Sequence, residues 1–384
     1  MSERQADPAA GPASLLGNAS STAAEPQPTG RASAAPQISW DFGTAFDLFA
    51  SLYAIFTPTE FGLRASWAAG VRSRLSAESR DFLTLVMRHM DIPTYWLHNL
   101  PQPKNAAAVV DILEKAQPEK LLEILNVNPH VKDPWQDVEV DVLSRGEVHD
   151  QDVKRYFANC TDPDCTAPGH NEESIREWLT LWAQPERYGR MILRSLTEYY
   201  EGFFRAEERR IMPDLEAARE RAQKLALTLS PLELFEELSQ GIRVRTYVER
   251  PSLILVPCYW CTPRIMPSEL DPSTGMVLFG ARPPEASLIP GDTVPAKLLL
   301  GLEALSDPTR LAILRTLAAN PMTQTEIAKT LRLRTPTISH HIKSLRIAGL
   351  ISYLDSESGD TRYQARSAQV EALYAELKGF LTAP

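Results

Sequence analysis

Residues 323–350 read TQTEIAKTLRLRTPTISHHIKSLRIAGL, and this stretch decides the fold of the last quarter of the chain. Thr323-x-x-Glu326 is a capping box, in which each residue's side chain serves the other's backbone amide. It opens a short helix with Ile327 and Leu331 as its apolar residues. A turn over 332–334 leads to a second helix starting near Thr335-Pro336, since proline is tolerated in a first helical turn. In that helix Ile338, Ile342 and Leu345 recur at i, i+4 and i+7 and define an inward face. At about 100° per residue, Pro336, His340, Lys343 and Ile347 lie opposite. Ser339 and Ser344 flank them. Small hydroxyls, an imidazole and cations on an outer helical face are the groups that reach base edges and phosphates of duplex DNA. The helix N-terminus itself attracts phosphate. The candidate DNA contacts on this helix are Thr335, Pro336, Thr337, Ser339, His340, Lys343, Ser344 and Arg346. His341 lies at the edge of the apolar face and is expected to pack rather than read bases.

The flanks complete the pattern. Asp307-Pro308 is a helix start, with Asp as N-cap, and Leu311, Ile313, Leu314 and Leu317 follow as an apolar face. Asn320-Pro321 ends that helix. Downstream, 350–354 and 361–365 read as two strands of a hairpin with Gly359 at the tip, a wing. Arg362 is its expected phosphate or minor-groove contact. Asp355, Glu357 and Asp360 would repel phosphate and keep the tip away from the DNA backbone. Residues 369–380 form an amphipathic last helix with Leu373, Leu377 and Phe380 on one side.

Together these residues resemble the ArsR family of bacterial winged-helix transcriptional regulators. The resemblance is carried by LSDPTR at 305–310, PTISHHIK at 336–343, LRIAGL at 345–350 and GDTRY at 359–363. It covers under a quarter of the chain. It implies a homodimer on a palindromic operator, and repression relieved by an inducer. The departures narrow it. Metal-sensing members carry paired cysteines where this chain has Thr323 and Thr325. Others bind zinc through Asp, His and Glu on the last helix, which here has Glu371 and Glu376 but no His. Any signal is therefore expected to enter through the rest of the chain.

That remainder is large. A chain of 384 residues exceeds one small core, and 43% hydrophobic with 23% charged residues is ordinary for a globular protein. No apolar run is long enough to span a membrane, and no basic start precedes an apolar segment, so a cytoplasmic protein is expected. From residue 297 onward there are 11 Lys and Arg against 8 Asp and Glu, while the rest carries 29 against 41. This polarity suits a DNA-reading tail on an acidic body. Residues 1–36, rich in Ala, Pro, Ser, Gln and Thr, are expected to be a disordered tail. Residues 37–290 are read as a helical sensor or dimerisation domain, and 297–384 as the winged helix. The fold class is thus mostly α with some β (α+β).

Within 37–290, Phe42, Phe46, Phe49 and Tyr53 make a core-facing aromatic stripe. Helices are expected over 77–90, 106–116, 119–126, 151–158 and 172–182. A long one spans 185–227, which Pro213 should kink or divide. The segments SLILVP at 252–257 and MVLFG at 276–280 predict two or three strands in a small antiparallel sheet.

Four cysteines fall in two pairs, Cys160-x4-Cys165 with His170 nearby, and Cys258-x2-Cys261. They leave open a tetrahedral zinc site or a redox pair, beside the plain reading of reduced thiols. No bound metal or cofactor is expected. No phosphate-binding loop, nucleophile elbow, zinc-protease motif or dinucleotide fingerprint occurs, so an enzyme is not expected. The function expected from sequence is a sequence-specific DNA-binding regulator. It would be a ligand-responsive repressor acting as a homodimer, partnered by duplex DNA and a small-molecule inducer. The alternatives are a zinc- or redox-responsive regulator, or an enzyme domain fused to a DNA-binding module.

Overall fold

Apolar residues on every side of 44–56 force that helix into the centre of a core, because no face of it is fit for water. In the computed structural model, which describes residues 35–159, 171–243, 248–283, 286, 294–355 and 361–382, this is α1 (Thr44–Phe56), and all its residues are buried. Around it stand α2 (Ala65–Arg72), α3 (Ala77–Val86), α4 (Thr94–Asn99), α5 (Ala106–Lys115), α6 (Leu121–Asn126), α7 (Pro134–Arg145), α8 (Asp150–Ala158) and α9 (Glu172–Trp182). Ser76, Asn105, Asp133 and Asn171 each accept a backbone N–H with their side chains and so start α3, α5, α7 and α9. Their apolar faces meet in one cluster that runs from Ala45 to Ala281.

The expected long helix over 185–227 is present, but its irregularity lies elsewhere. Helix α10 (Pro185–Tyr199) passes through a π turn over Tyr200–Phe204 into α11 (Arg205–Ala226). Pro213 lies inside α11 without interrupting it. The carbonyl that Pro213 leaves without an amide belongs to Arg209, and Arg209 is exposed, so water can take that hydrogen bond. Helix α12 (Pro231–Leu238) follows, opened by a Ser230–Glu233 capping box.

The sheet also departs from expectation. Strands β1 (Gln37–Trp40), β3 (Ser252–Cys258), β4 (Met266–Asp271) and β5 (Thr274–Gly280) align in the order β1-β3-β5-β4. Only β4 and β5 are antiparallel, as a hairpin; β1, β3 and β5 run parallel. Parallel strands are buried on both faces, and β3 and β5 are buried almost throughout. A segment near Ile242 also reads as strand. It is β2 (Ile242–Arg243), and it joins a different sheet, described below.

A second, smaller core runs from Leu298 to Leu373. Among the described residues, no helix is long and apolar enough to cross a membrane.

Candidate nucleic-acid interface

The second core is built by α13 (Ala296–Leu305), α14 (Pro308–Ala319), α15 (Gln324–Leu331) and α16 (Thr335–Ile347), a hairpin of β6 (Ile351–Asp355) and β7 (Thr361–Ala365), and α17 (Ser367–Thr382). The caps act where the sequence places them. Asp307 Oδ1 accepts the Arg310 amide at 2.9 Å. Thr323 Oγ1 accepts the Glu326 amide at 3.2 Å, while Glu326 accepts the Thr323 amide at 2.8 Å. Arg332, at φ 55°, ends α15 in the left-handed region and turns the chain into α16. Ile338, Ile342 and Leu345 are buried and anchor α16 on the core. The hairpin is tied back where Met322 and Tyr363 exchange two backbone hydrogen bonds, at 2.8 and 3.0 Å.

This is a helix-turn-helix closed by a wing. The profile of the bacterial regulatory protein arsR family matches residues 307–353. An HTH-type transcriptional regulator of Mycobacterium tuberculosis, Rv2034, is 37% identical over 81 residues, which are 21% of this chain and 74% of that relative. The chain belongs to the arsR family.

The outer face of the ArsR-type recognition helix divides along its length. Thr335, Pro336, Thr337 and His340 are exposed, and Ser339 is half-buried. Arg334 precedes the helix in an extended conformation without a side-chain cap. The first amides of α16 therefore lack a capping side chain and remain donors for an incoming oxygen. Ser344 bonds inward to the His340 carbonyl at 3.2 Å. His341 packs as expected: its side chain is 13% exposed, Nδ1 stands 3.8 Å from Asp307, and burial lowers its pKa.

The C-terminal half meets the body. Lys343 Nζ lies 3.5 Å from Glu60 Oε1, and Glu60 Oε2 accepts from Arg264 Nη1 at 2.5 Å. Glu60 and Arg264 are both buried. Ile347 and Leu300 close over Gly62, whose φ of 68° suits glycine; a Cβ there would come within 2.8 Å of Leu300. Arg346 faces the same seam, where it is half-buried. Burial, followed by the nearby charge of Arg264, lowers its pKa. The placement of Arg346 on the DNA-facing surface is therefore corrected. The residue falls on the side of α16 that the body covers, and the heptad pattern alone does not reveal that cover.

Two further ties hold the module to the body. Strand β2 pairs in parallel with β6, Ile242 beside Tyr353 and Arg243 beside Leu354, so the wing hairpin becomes a three-stranded sheet. The chain reaches it through Gln240 and Gly241, both at positive φ. Arg366 Nη1 donates to the Gln240 carbonyl and, at 3.2 Å, to that of Gly349. Arg362, the expected wing contact, is engaged within the module: Nη1 donates to the Pro321 carbonyl at 3.0 Å and Nη2 lies 3.3 Å from Glu326. It braces the wing against the start of α15. Of the acidic wing residues, Asp355 ends β6 opposite Thr361, while Glu357 and Asp360 lie outside the described residues. Glu60, Gly62, Arg264 and Arg366 carry the seam and escaped sequence reasoning.

The cysteine pairs are not brought together in what is described, since Cys160, Cys165 and His170 lie outside it. Cys258 and Cys261 are free and buried. Cys258 Sγ donates to Asp47 Oδ1 at 3.3 Å, and Cys261 Sγ to the Cys258 carbonyl at 3.3 Å. Burial pushes the Cys258 thiol well up, the opposite of a reactive thiolate. Asp47 also accepts the Trp260 amide at 2.9 Å, and burial raises its pKa to about 7. Among the described residues, no group of three or more His, Cys, Asp or Glu could hold a metal ion.

Proposed function

We propose that this arsR-family chain is a DNA-binding transcriptional regulator that acts as a ligand-responsive repressor and homodimer. The observation that carries the reading is the free N-terminal half of α16. In helix-turn-helix proteins the N-terminal residues of the recognition helix contact base edges, and here those residues are Thr335, Thr337, Ser339 and His340. The relative's description as a transcriptional regulator supports the same reading. Dimer formation is supported by apolar side chains left on the outside of the module: Tyr374 and Leu381 on α17 are 69% and 72% exposed, and Leu302 on α13 is 37% exposed. Burying these side chains against a second copy would take apolar surface out of water, which favours association. In this reading the body serves as the sensor and acts by binding; its contacts with the recognition helix and with β6 support the coupling.

Footprinting on the DNA flanking the protein's own gene, combined with sedimentation of the free protein, tests this. The expected result is a dimer protecting two half-sites about one helical turn apart. Its affinity should exceed that for random DNA by about a thousandfold or more. A monomer with equal affinity for all duplexes would refute the proposal.

A further inference from the structure

The seam between body and recognition helix encloses a narrow cleft with two lobes that share Gln240, Pro263 and Ile347. One lobe is lined by Arg264 and Arg346, the other by Arg282 and Lys297. Two cations thus face each lobe, and Lys343 stands 3.5 Å from Glu60, the ion-pair partner of Arg264. Glu60 forms ion pairs with Arg264 and Lys343, and its charge also reaches Arg346. Among the described residues, no carboxylate pairs with Arg346, Arg282 or Lys297. Arg264, with its side chain 4% exposed, keeps its Nε buried without a hydrogen-bond partner, and so does Arg282 with its Nη1. Burial pushes the Arg282 guanidinium down to about 10. Buried donors are almost always satisfied, and an unsatisfied pair of cationic ones in a cleft calls for an acceptor.

We infer that this cleft binds a small anion, through a carboxylate or phosphate group received by Arg264, Arg282 and Arg346. A fork of guanidinium donors matches either group bidentately. The apolar walls of Pro263, Ile347 and Leu300 accept the remainder of a small organic acid or phosphate ester. The anion would sit against Ile347 and Arg346, the last turns of the recognition helix. This names the signal for the regulator proposed above; it rests on that reading for its effect on DNA but not for binding itself.

The test is calorimetric titration of the full chain, without DNA, using sodium phosphate and sodium hexanoate against sodium chloride at equal ionic strength. Saturable binding of one anion per chain is expected, weakened about tenfold or more in Arg282→Gln and Arg346→Gln. Binding should be unchanged in Arg187→Gln, which alters an exposed arginine far along the chain. Phosphate alone saturating the site identifies a phosphorylated ligand, and hexanoate alone an organic acid. No saturation by either anion below about 10 mM overturns the inference. So does equal heat from chloride, or wild-type affinity in Arg282→Gln. If Arg282→Gln does not fold, the half-buried Lys297→Met carries the same comparison. Operator binding measured with and without the anion then tests regulation separately, so a failure there leaves the binding result standing.

Discussion

Replacing Glu60 by glutamine removes the carboxylate that pairs with Arg264 and Lys343 in the seam, and its cost follows from burial. Glu60 and Arg264 side chains are 6% and 4% exposed and 2.5 Å apart. Solvent screening is therefore slight. Breaking a buried pair by removing one partner costs about 3–5 kcal/mol, because the remaining charge is left unpaired in low dielectric. Glutamine keeps the shape and one acceptor oxygen, which favours the lower end, about 3 kcal/mol. For a core of this size that corresponds to a fall in melting temperature of about 6–12 °C. Lys343 contributes little by comparison: it stands 3.5 Å away and 37% exposed, so Lys343→Met should cost no more than about 1 kcal/mol. Scanning calorimetry reads the first effect. Hydrogen exchange at Tyr353 and Leu354, which pair with β2, reads whether the loss is spent in undocking. A melting shift below about 2 °C for Glu60→Gln with unchanged exchange at Tyr353 would show that the pair does not hold the seam. An equal penalty for Lys343→Met would rule out burial as the cause, since the pair would then owe its strength to the exposed partner.

Gly62→Ala forces φ 68° on a residue with a Cβ and presses it against Leu300. It should cost about 2 kcal/mol, partly restored in the double variant with Leu300→Ala, and a neutral melting point would show the seam to be loose. Thr337→Ala and His340→Ala should change sequence preference in a binding selection by about 1–3 kcal/mol at single base pairs. Arg346→Ala should leave that preference unaltered, and the reverse pattern would move the reading face to the C-terminal half of α16. The folded Asp47 carboxyl, raised from 3.8 to about 7, and that of Glu139, raised from 4.5 to about 8, hold protons that the unfolded chain releases. Their contribution is full below about pH 4 and is lost as pH rises through 7 and 8. Melting temperature should fall from pH 5 to pH 8, less steeply in Asp47→Asn; an identical slope in both proteins would count against this. Cys258 and Cys261 should resist iodoacetamide in the native protein and react after guanidinium unfolding, as mapped by mass spectrometry. Rapid native labelling of either would revive a redox role for the pair.

Local chemistry was legible wherever a rule acts within a few residues. The Thr323–Glu326 box, the Asp307 cap and the Ile338/Ile342/Leu345 face all stand where their spacing puts them. Helix α9 begins and ends at the residues expected of it. What escaped depends on partners far along the chain. The parallel order of the body sheet pairs Gln37 with Ser252, and no local pattern records that register. Pro213 broke no helix, because its cost depends on whether one distant-looking carbonyl reaches water. The outer face of α16 was read as uniformly solvent-facing, since amphipathicity distinguishes apolar from polar but not open from covered. Glu60 lies 283 positions before Lys343, and nothing in either neighbourhood announces the other.

One helix therefore serves two purposes by position, and its rigidity couples them. Helix α16 has 13 residues and is about 20 Å long. A tilt of about 10° about its docked end would carry the Thr335 end by about 3 Å. Productive hydrogen bonds to base edges span only about 0.5 Å in length, so such a tilt would take the reading residues out of register. Covering the N-terminal half is unnecessary for control. Under the proposed regulation, reshaping the seam around Glu60, Arg264 and Arg346 would suffice, with the three-stranded sheet that β2 completes as a second point of attachment. Sensitivity to a ligand is, under the proposed regulation, greatest where the body grips the helix, and sequence selectivity greatest where it does not.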